Sequence, residues 1–331
     1  MKHQIHFLIT IDTECDKSAD WSIPHPLRFQ NIETGVGKLF QPFCEQNGIR
    51  PTYLLSPEII RDSHTADLFR SFGCRCELGT HMHTEFIEPD PVVLPKTTDQ
   101  FQADFPEAIE YEKMKNMTAL FHETFGYAPS SFRAGRFGMG PATFRILSQL
   151  GYKVDSSVFP LHVIHTLNNR FNYFDRPLYP YFIEMENTTP PTRLLELPMT
   201  VHSRFYSSQR PGLRKWVSRS RYSKAVLRRV LPSGYMKVYS LRPSTYSYEA
   251  MRMVADAYIQ RHQEHDHIFL VMMFHSNELT PGTSPYNNTE RDVAAFMERL
   301  SRITGYILSK GAGSPTMHEA YDILSGKTLK A

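Results

Sequence analysis

Hydrophobic and polar positions alternate with a period of two from Ile5 to Ile11, which predicts a strand with two unlike faces. Helical spacing follows, with Thr34 as the expected cap of a helix running through Phe40 to Gln46 and stopping at Gly48. The same reading gives strands at Pro51–Leu55, Arg75–Thr80, Ser131–Arg133, Lys153–Val158 and Leu194–Val201. Helices are expected at Pro57–Phe72, from a cap at Asp99 to Phe125, and at Pro141–Leu150. Leu213–Leu231 reads as an amphipathic helix, and Tyr248–Gln263, Thr289–Ser309 and Met317–Leu324 as three more. Ile268–Phe274 is a continuous apolar run of seven residues, the mark of a strand covered on both faces. Prolines at Pro24–Pro26, Pro89–Pro95 and Pro177–Pro191 punctuate loops. Strands alternating with helices imply an α/β fold around a parallel sheet. About seven strands in this length favour a closed or nearly closed barrel over an open doubly wound sheet. The whole of 1–331 then reads as one barrel domain instead of two domains.

Composition removes several classes of protein. A 41% hydrophobic content excludes disorder as the main state, and a seven-residue apolar run is far short of a membrane span. The N-terminal Met1-Lys-His-Gln-Ile-His6 has no apolar signal core, which predicts a cytoplasmic protein with reduced thiols. The four cysteines read as inert buried thiols, since Cys74 and Cys76 have no second pair to close a metal site. Gly35-Val-Gly37 lacks the third glycine of a dinucleotide fingerprint and reads as an ordinary loop-to-helix segment.

Net charge is +3, but it is unevenly spread. Between Leu197 and Tyr248 there is no acidic residue and there are eleven basic ones, from Arg204 to Arg242, so the remainder of the chain carries −8. An acidic body therefore holds a basic insertion at about 202–247.

Ionisable residues cluster at predicted strand ends: Asp12 and Glu14, His81 and His83, Arg133 with Arg136, Asp155, and His275. In an α/β barrel the C-terminal ends of the strands form the reactive face. In extended chain, residues two apart point the same way, so Asp12 and Glu14 share a side, as do His81 and His83. Two imidazoles and a carboxylate are a common ligand set for a catalytic zinc with one open position, and Glu85 is a rival ligand four residues after His81. His83-Thr-Glu85 matches half of the zinc nucleobase deaminase motif, but no Pro-Cys-x-x-Cys accompanies it. His-Glu-x-x-His and Gly-x-Ser-x-Gly are both absent.

Leu8-Ile-Thr-Ile-Asp12-Thr-Glu14, Glu77-Leu-Gly-Thr-His81-Met-His83, Ser131-Phe-Arg133-Ala-Gly-Arg136, Gly151-Tyr-Lys-Val-Asp155-Ser-Ser and Phe274-His275-Ser resemble, in order, the motifs of the polysaccharide deacetylase (NodB-homology) family. The resemblance spans about residues 5 to 310. It implies a distorted (β/α)7 barrel and one divalent metal, usually zinc. It makes Asp12 the general base, held by Arg133, and Glu14 a metal ligand separated from the base by Thr13. His81 would be a second ligand, and either His83 or Glu85 a third. His275 would be the general acid, with Asp155 expected to orient it. The reaction implied is removal of an acetyl group from a saccharide, an intermediate of cell-surface polysaccharide or lipopolysaccharide assembly.

Arg136 and the aromatics Tyr173, Phe174, Tyr179, Tyr181 and Phe182 are the expected lining of a substrate cleft, Tyr173 and Tyr181 foremost. The basic insertion, with Leu213, Trp216 and Val226 among its arginines, suits either a solvated surface or contact with an anionic membrane or lipid-linked saccharide. No nucleic-acid motif accompanies it. Hydrolysis of another small C–N amide, and a saccharide-binding protein without turnover, are the rival functions.

Overall fold

A computed structural model describes residues 3–91, 101–166, 168–185 and 192–326. Its strands are β1 (Gln4–Thr13), β2 (Thr52–Leu55), β3 (Glu77–Met82), β4 (Ser131–Ala134), β5 (Val154–Asp155), β6 (Val163–His165), β7 (Arg170–Asn172), β8 (Tyr181–Met185), β9 (Thr192–Glu196), β10 (Val201–His202), β11 (Tyr239–Ser240) and β12 (His267–His275). Eight of them form one sheet in the order β12-β1-β2-β3-β4-β5-β9-β8. All neighbours are parallel except the last, where β8 runs antiparallel to β9. Seven parallel strands curl into a distorted barrel. Among the described residues its seam, between β12 and the chain leaving β9, carries no strand ladder. Thr200 bridges it instead: its N–H donates to Val271 O at 3.2 Å and its Oγ1 accepts from the Val271 N–H at 2.8 Å.

Side-chain alternation sorts the strands' residues. Phe7, Ile9 and Ile11 face outward onto Phe40, Phe296 and Ile303 of the surrounding helices. Leu8, Leu54, Val154, Leu195, Val271 and Met273 face inward and pack with Met317 and Tyr321, which cap the lower interior. Each large apolar side chain of β12 is buried from Ile268 to Phe274, a contribution of about 1.5–3 kcal/mol apiece. Gly79 is required where β3 and β4 meet, because a Cβ there would stand 2.6 Å from Ser131 O.

The helices are α1 (Gln41–Gln46), α2 (Pro57–Arg61), α3 (Ser63–Phe72), α4 (Glu107–Phe125), α5 (Thr143–Gln149), α6 (Pro211–Arg219), α7 (Arg221–Val230), α8 (Tyr248–Arg261), α9 (Glu290–Leu308) and α10 (Met317–Leu324). Several depart from the pattern expected from sequence. A wider π-type helix, Asn31–Phe40, precedes α1, and Thr34 lies inside it, donating to Gln30 O. The single helix expected over Pro57–Phe72 breaks at Asp62, whose carboxylate caps α3 by accepting from Thr65 N–H. The helix expected over Leu213–Leu231 breaks in the same way at Ser220, which caps α7. Asp99 lies outside the described residues, as do parts of the proline-rich segments near 89–95 and 177–191; α4 begins after Pro106. Strand β5 is only two residues long, and the strand expected through Val201 ends at Glu196 before β10 pairs with β11. Cys15 and Cys44 are buried as expected, but Cys74 sits exposed on a turn before β3. No described helix is long and apolar enough to cross a membrane.

Candidate active site

The parallel register assembles the site before any loop is considered. Asp12 is paired with His275 across β1–β12, and His81 with Arg133 across β3–β4. All four stand at the C-terminal ends of their strands and point into the barrel, while Glu14 and His83 continue the same alternation just beyond β1 and β3. Gly135 lets β4 end close against β3, since a Cβ there would meet Met82 O at 2.3 Å.

Arg133 is fully buried and donates from all three of its nitrogens. Nη1 donates to Asp12 Oδ1 at 2.6 Å, Nη2 to Thr10 Oγ1 at 2.7 Å and Ser156 Oγ at 3.0 Å, and Nε to Ser156 O at 2.9 Å. This anchors one oxygen of Asp12 and leaves Oδ2 facing the site, 4.0 Å from the Nε2 atoms of both His81 and His275. Burial works against the Asp12 anion, but the charges of Arg133, His81 and His275 outweigh it and hold the carboxyl below its ordinary value.

Glu14, His81 and His83 bring one ligand atom each within 4.8 Å of one another, all buried. Glu14 Oε1 lies 3.4 Å from His81 Nε2 and 3.1 Å from His83 Nε2. The remote nitrogens are tied down: His81 Nδ1–H donates to Arg133 O at 3.0 Å, and His83 Nδ1–H to Glu85 Oε1 at 3.1 Å. In the neutral rings these bonds leave the lone pair on Nε2, which faces Glu14, and neither Nε2 has a hydrogen-bond partner. Two buried imidazole nitrogens without partners beside a carboxylate oxygen fit a divalent cation. Glu85 falls outside the group. It receives His83 on one side and Arg136 Nη2, at 2.7 Å, on the other, so it sets the His83 ring in place. Burial opposes the Glu85 anion, but His83 and Arg136 hold it well below the ordinary carboxylate range. Lys113, from α4, ties down the Glu85 loop by donating to Thr84 O at 3.0 Å and Ile87 O at 2.7 Å. A second group, His262, Glu264 and His265, lies beyond α8 at the opposite end of the barrel, near the start of β12.

His275 is oriented by a residue the sequence reading missed. Its Nδ1 lies 2.9 Å from Glu278 Oε1, which also accepts from the His275 N–H at 3.1 Å and from Arg242 Nη2 at 3.0 Å. Burial would raise the Glu278 carboxyl, but Arg242 and His275 pull it down to about 2. Asp155, expected in this role, cannot take it. Strand alternation puts Val154 and Ser156 inside the barrel and Asp155 on the outer face, where its register partner is Glu196. There Asp155 accepts from Ser157 Oγ at 2.5 Å, and burial together with the Asp155 charge raises the Glu196 carboxyl well above its ordinary value.

The aromatic lining expected from the sequence also lies elsewhere. Tyr173 is buried and donates to Phe137 O at 3.1 Å. Tyr181, on edge strand β8, is the register partner of Glu196 on that same outer face. Tyr179 donates to His267 O at 2.6 Å, at the N-terminal end of β12. The reason is topological: the segment after β5 makes the β6–β7 hairpin and then descends to form β8. Arg136 does reach the site, through Glu85. Signals for Glu278 and Arg242 were present, a carboxylate three residues after a strand-end histidine and an arginine in the insertion, but spacing alone does not join them.

No protein-family model matches the chain, and no curated protein matches it. Solved structures do match at the level of fold. A protein named as a polysaccharide deacetylase from Mycobacterium smegmatis superposes with a TM-score of 0.53 and 11% identity, over 100% of this chain and 95% of that one. One from Pseudomonas aeruginosa PAO1 gives 0.51 and 14%, over 96% and 89%. PuuE allantoinase gives 0.56 and 14%, over 98% and 92%. The fold is thus the distorted NodB-type (β/α) barrel found in polysaccharide deacetylases, and an allantoinase has it too.

Proposed function

We propose that the protein is a metal-dependent hydrolase that removes an acetyl group from a saccharide. The observation that carries this reading is the placement of Asp12 Oδ2 and His275 Nε2, 4.0 Å apart, beside the Glu14–His81–His83 group. A divalent cation held by those three residues, zinc first among the candidates, would lower the pKa of a bound water and polarise the acetyl carbonyl. Asp12, anchored through its other oxygen by Arg133, takes the proton of the attacking water on Oδ2. His275, turned by Glu278, delivers a proton from Nε2 to the departing sugar nitrogen or oxygen. Arg133 keeps the base ionised, and Glu85 keeps the His83 ring turned toward Glu14.

Metal analysis combined with acetate release from a panel of N- and O-acetylated sugars tests this. Bound metal and acetate are expected. The allantoinase match favours one rival, hydrolysis of another small C–N amide; turnover of such amides, with no acetate released from the sugars, would establish it. Bound metal with no product of either kind would leave a saccharide-binding protein without turnover.

The basic insertion adds a proposed partner. On α6 and α7, Leu213, Trp216, Tyr222, Val226 and Val230 are exposed among arginines, and no acidic residue occurs between 198 and 247. Apolar side chains set in a positive surface suit the face of an anionic membrane, where a lipid-linked saccharide would be met. Sedimentation with anionic liposomes that weakens as salt is raised supports it; equal recovery with neutral liposomes overturns it.

A further inference from the structure

We infer that Trp21 and Tyr286 form a saccharide-binding wall at the mouth of the site, which takes the pyranose ring carrying the acetyl group. The inference rests on the deacetylase reading given above and says where the sugar sits. A general acid must come within hydrogen-bond reach of the atom it protonates. In a sugar ester or amide that atom is bonded directly to a ring carbon or its exocyclic methylene. The ring therefore lies on the His275 side of the reacting centre. The described aromatic residues at that position are not the ones expected from the sequence. The Trp21 ring meets His275 edge-on, with centroids 5.2 Å apart, and Tyr286 meets Trp21 edge-on at 5.9 Å.

Both rings are partly open to solvent, Trp21 at 37% and Tyr286 at 40%. The C–H face of a pyranose covers such a ring and hides apolar surface on both partners. The guanidinium of Arg242 lies 5.1 Å from the Tyr286 ring centroid, so the residue that fixes Glu278 also braces this wall.

The loops that carry the wall are built to hold it. Trp21 has φ of +63°, a left-handed conformation that a bulky side chain rarely adopts. Its turn is closed by Trp21 N–H donating to Ser18 O at 2.9 Å, and by Ser18 N–H donating to Ser22 O at 2.9 Å. This loop is fastened to the one bearing Tyr286: Lys17 N–H donates to Thr283 O at 3.2 Å, and Asn277 Nδ2 to Cys15 O at 2.6 Å. The ring is thus held against the proposed acid.

The chain has two tryptophans, so Trp216→Phe leaves Trp21 as the sole indole emitter. Chitin oligomers of two to four N-acetylglucosamine units should change its emission saturably in metal-loaded protein. In otherwise native protein, Trp21→Ala should weaken oligomer binding, or raise KM, by tenfold or more with kcat changed less than threefold, and Trp21→Phe should restore most of the loss. A melting curve on each variant reports folding. Emission that stays constant through saturating oligomer, or equal affinity in Trp21→Ala and native protein, overturns the wall. Saturable emission without acetate release would uphold the wall and defeat the deacetylase reading; acetate release with silent Trp21 emission would do the reverse.

Discussion

His275 and Asp12 are register partners on adjacent parallel strands, yet their facing atoms, Nε2 and Oδ2, stand 4.0 Å apart and share no hydrogen bond. The gap follows from what holds each residue from behind. Arg133 draws the Asp12 carboxylate one way, and Glu278 holds the His275 ring by its far nitrogen. The proposed acid and base, so separated, leave room for a reacting group between them.

Asp12→Asn keeps the shape and loses the proposed proton acceptor. Acetate release should fall by about 10²–10⁴-fold, while bound metal, read by elemental analysis, stays at its native level. Metal lost together with activity would make Asp12 a ligand and not the base. Arg133→Met should be harsher on the fold, because it strands a buried carboxylate; the loss of about 3–5 kcal/mol should be partly recovered in the Asp12→Asn, Arg133→Met double variant, as measured by denaturant unfolding.

Glu278→Ala removes the group that orients His275 without touching the proposed metal ligands. Turnover of an N-acetyl sugar, whose leaving amine needs a proton, should drop by about 10²-fold. An aryl acetate, whose phenolate leaves unaided, should be hydrolysed within a few-fold of the native rate. Equal losses on both substrates would show that Glu278 supports the fold of the site and not the acid.

Glu85→Gln probes the bond behind His83. The amide oxygen still accepts from Nδ1–H, but the charge shared with Arg136 is gone. Metal affinity, followed by chelator competition, should weaken by about 10–100-fold. Complete loss of binding would place Glu85 among the ligands.

The barrel was legible in the sequence because β1 and β12 carry strong, unlike signals: alternation from Ile5 to Ile11 and an unbroken apolar run from Ile268 to Phe274. Asp12, Glu14, His81, His83, Arg133 and His275 were legible as well, since strand ends and two-residue spacing fix their side. What failed was parity at a short strand. The expected strand Lys153–Val158 has a ladder of only Val154–Asp155, and reading Asp155 without its neighbours' facing placed it inside when it lies outside. The edge strand β8 was invisible because prolines at 177 and 180 read as loop, and Tyr181 went to the wrong place with it. Glu278 and Arg242 meet only through the fold, 36 residues apart in the chain.

The displaced Asp155 makes a prediction of its own. It shares a buried, outer-face position with Glu196, and two carboxylates so close cannot both ionise cheaply. Burial, then the Asp155 charge, raises the Glu196 carboxyl well above its ordinary 4.5, so the folded protein holds a proton that the unfolded chain releases. Stability from this group is therefore complete below about pH 4.5 and declines as pH rises toward the folded value, by about 1.4 kcal/mol per pH unit for one proton. Glu196→Gln keeps a donor beside Asp155 with no proton to lose. Unfolding free energies of the two proteins, measured from pH 4.5 upward, should diverge in favour of the variant by up to that slope and run parallel below it. Parallel profiles across the whole range would mean that the pair holds no proton at all.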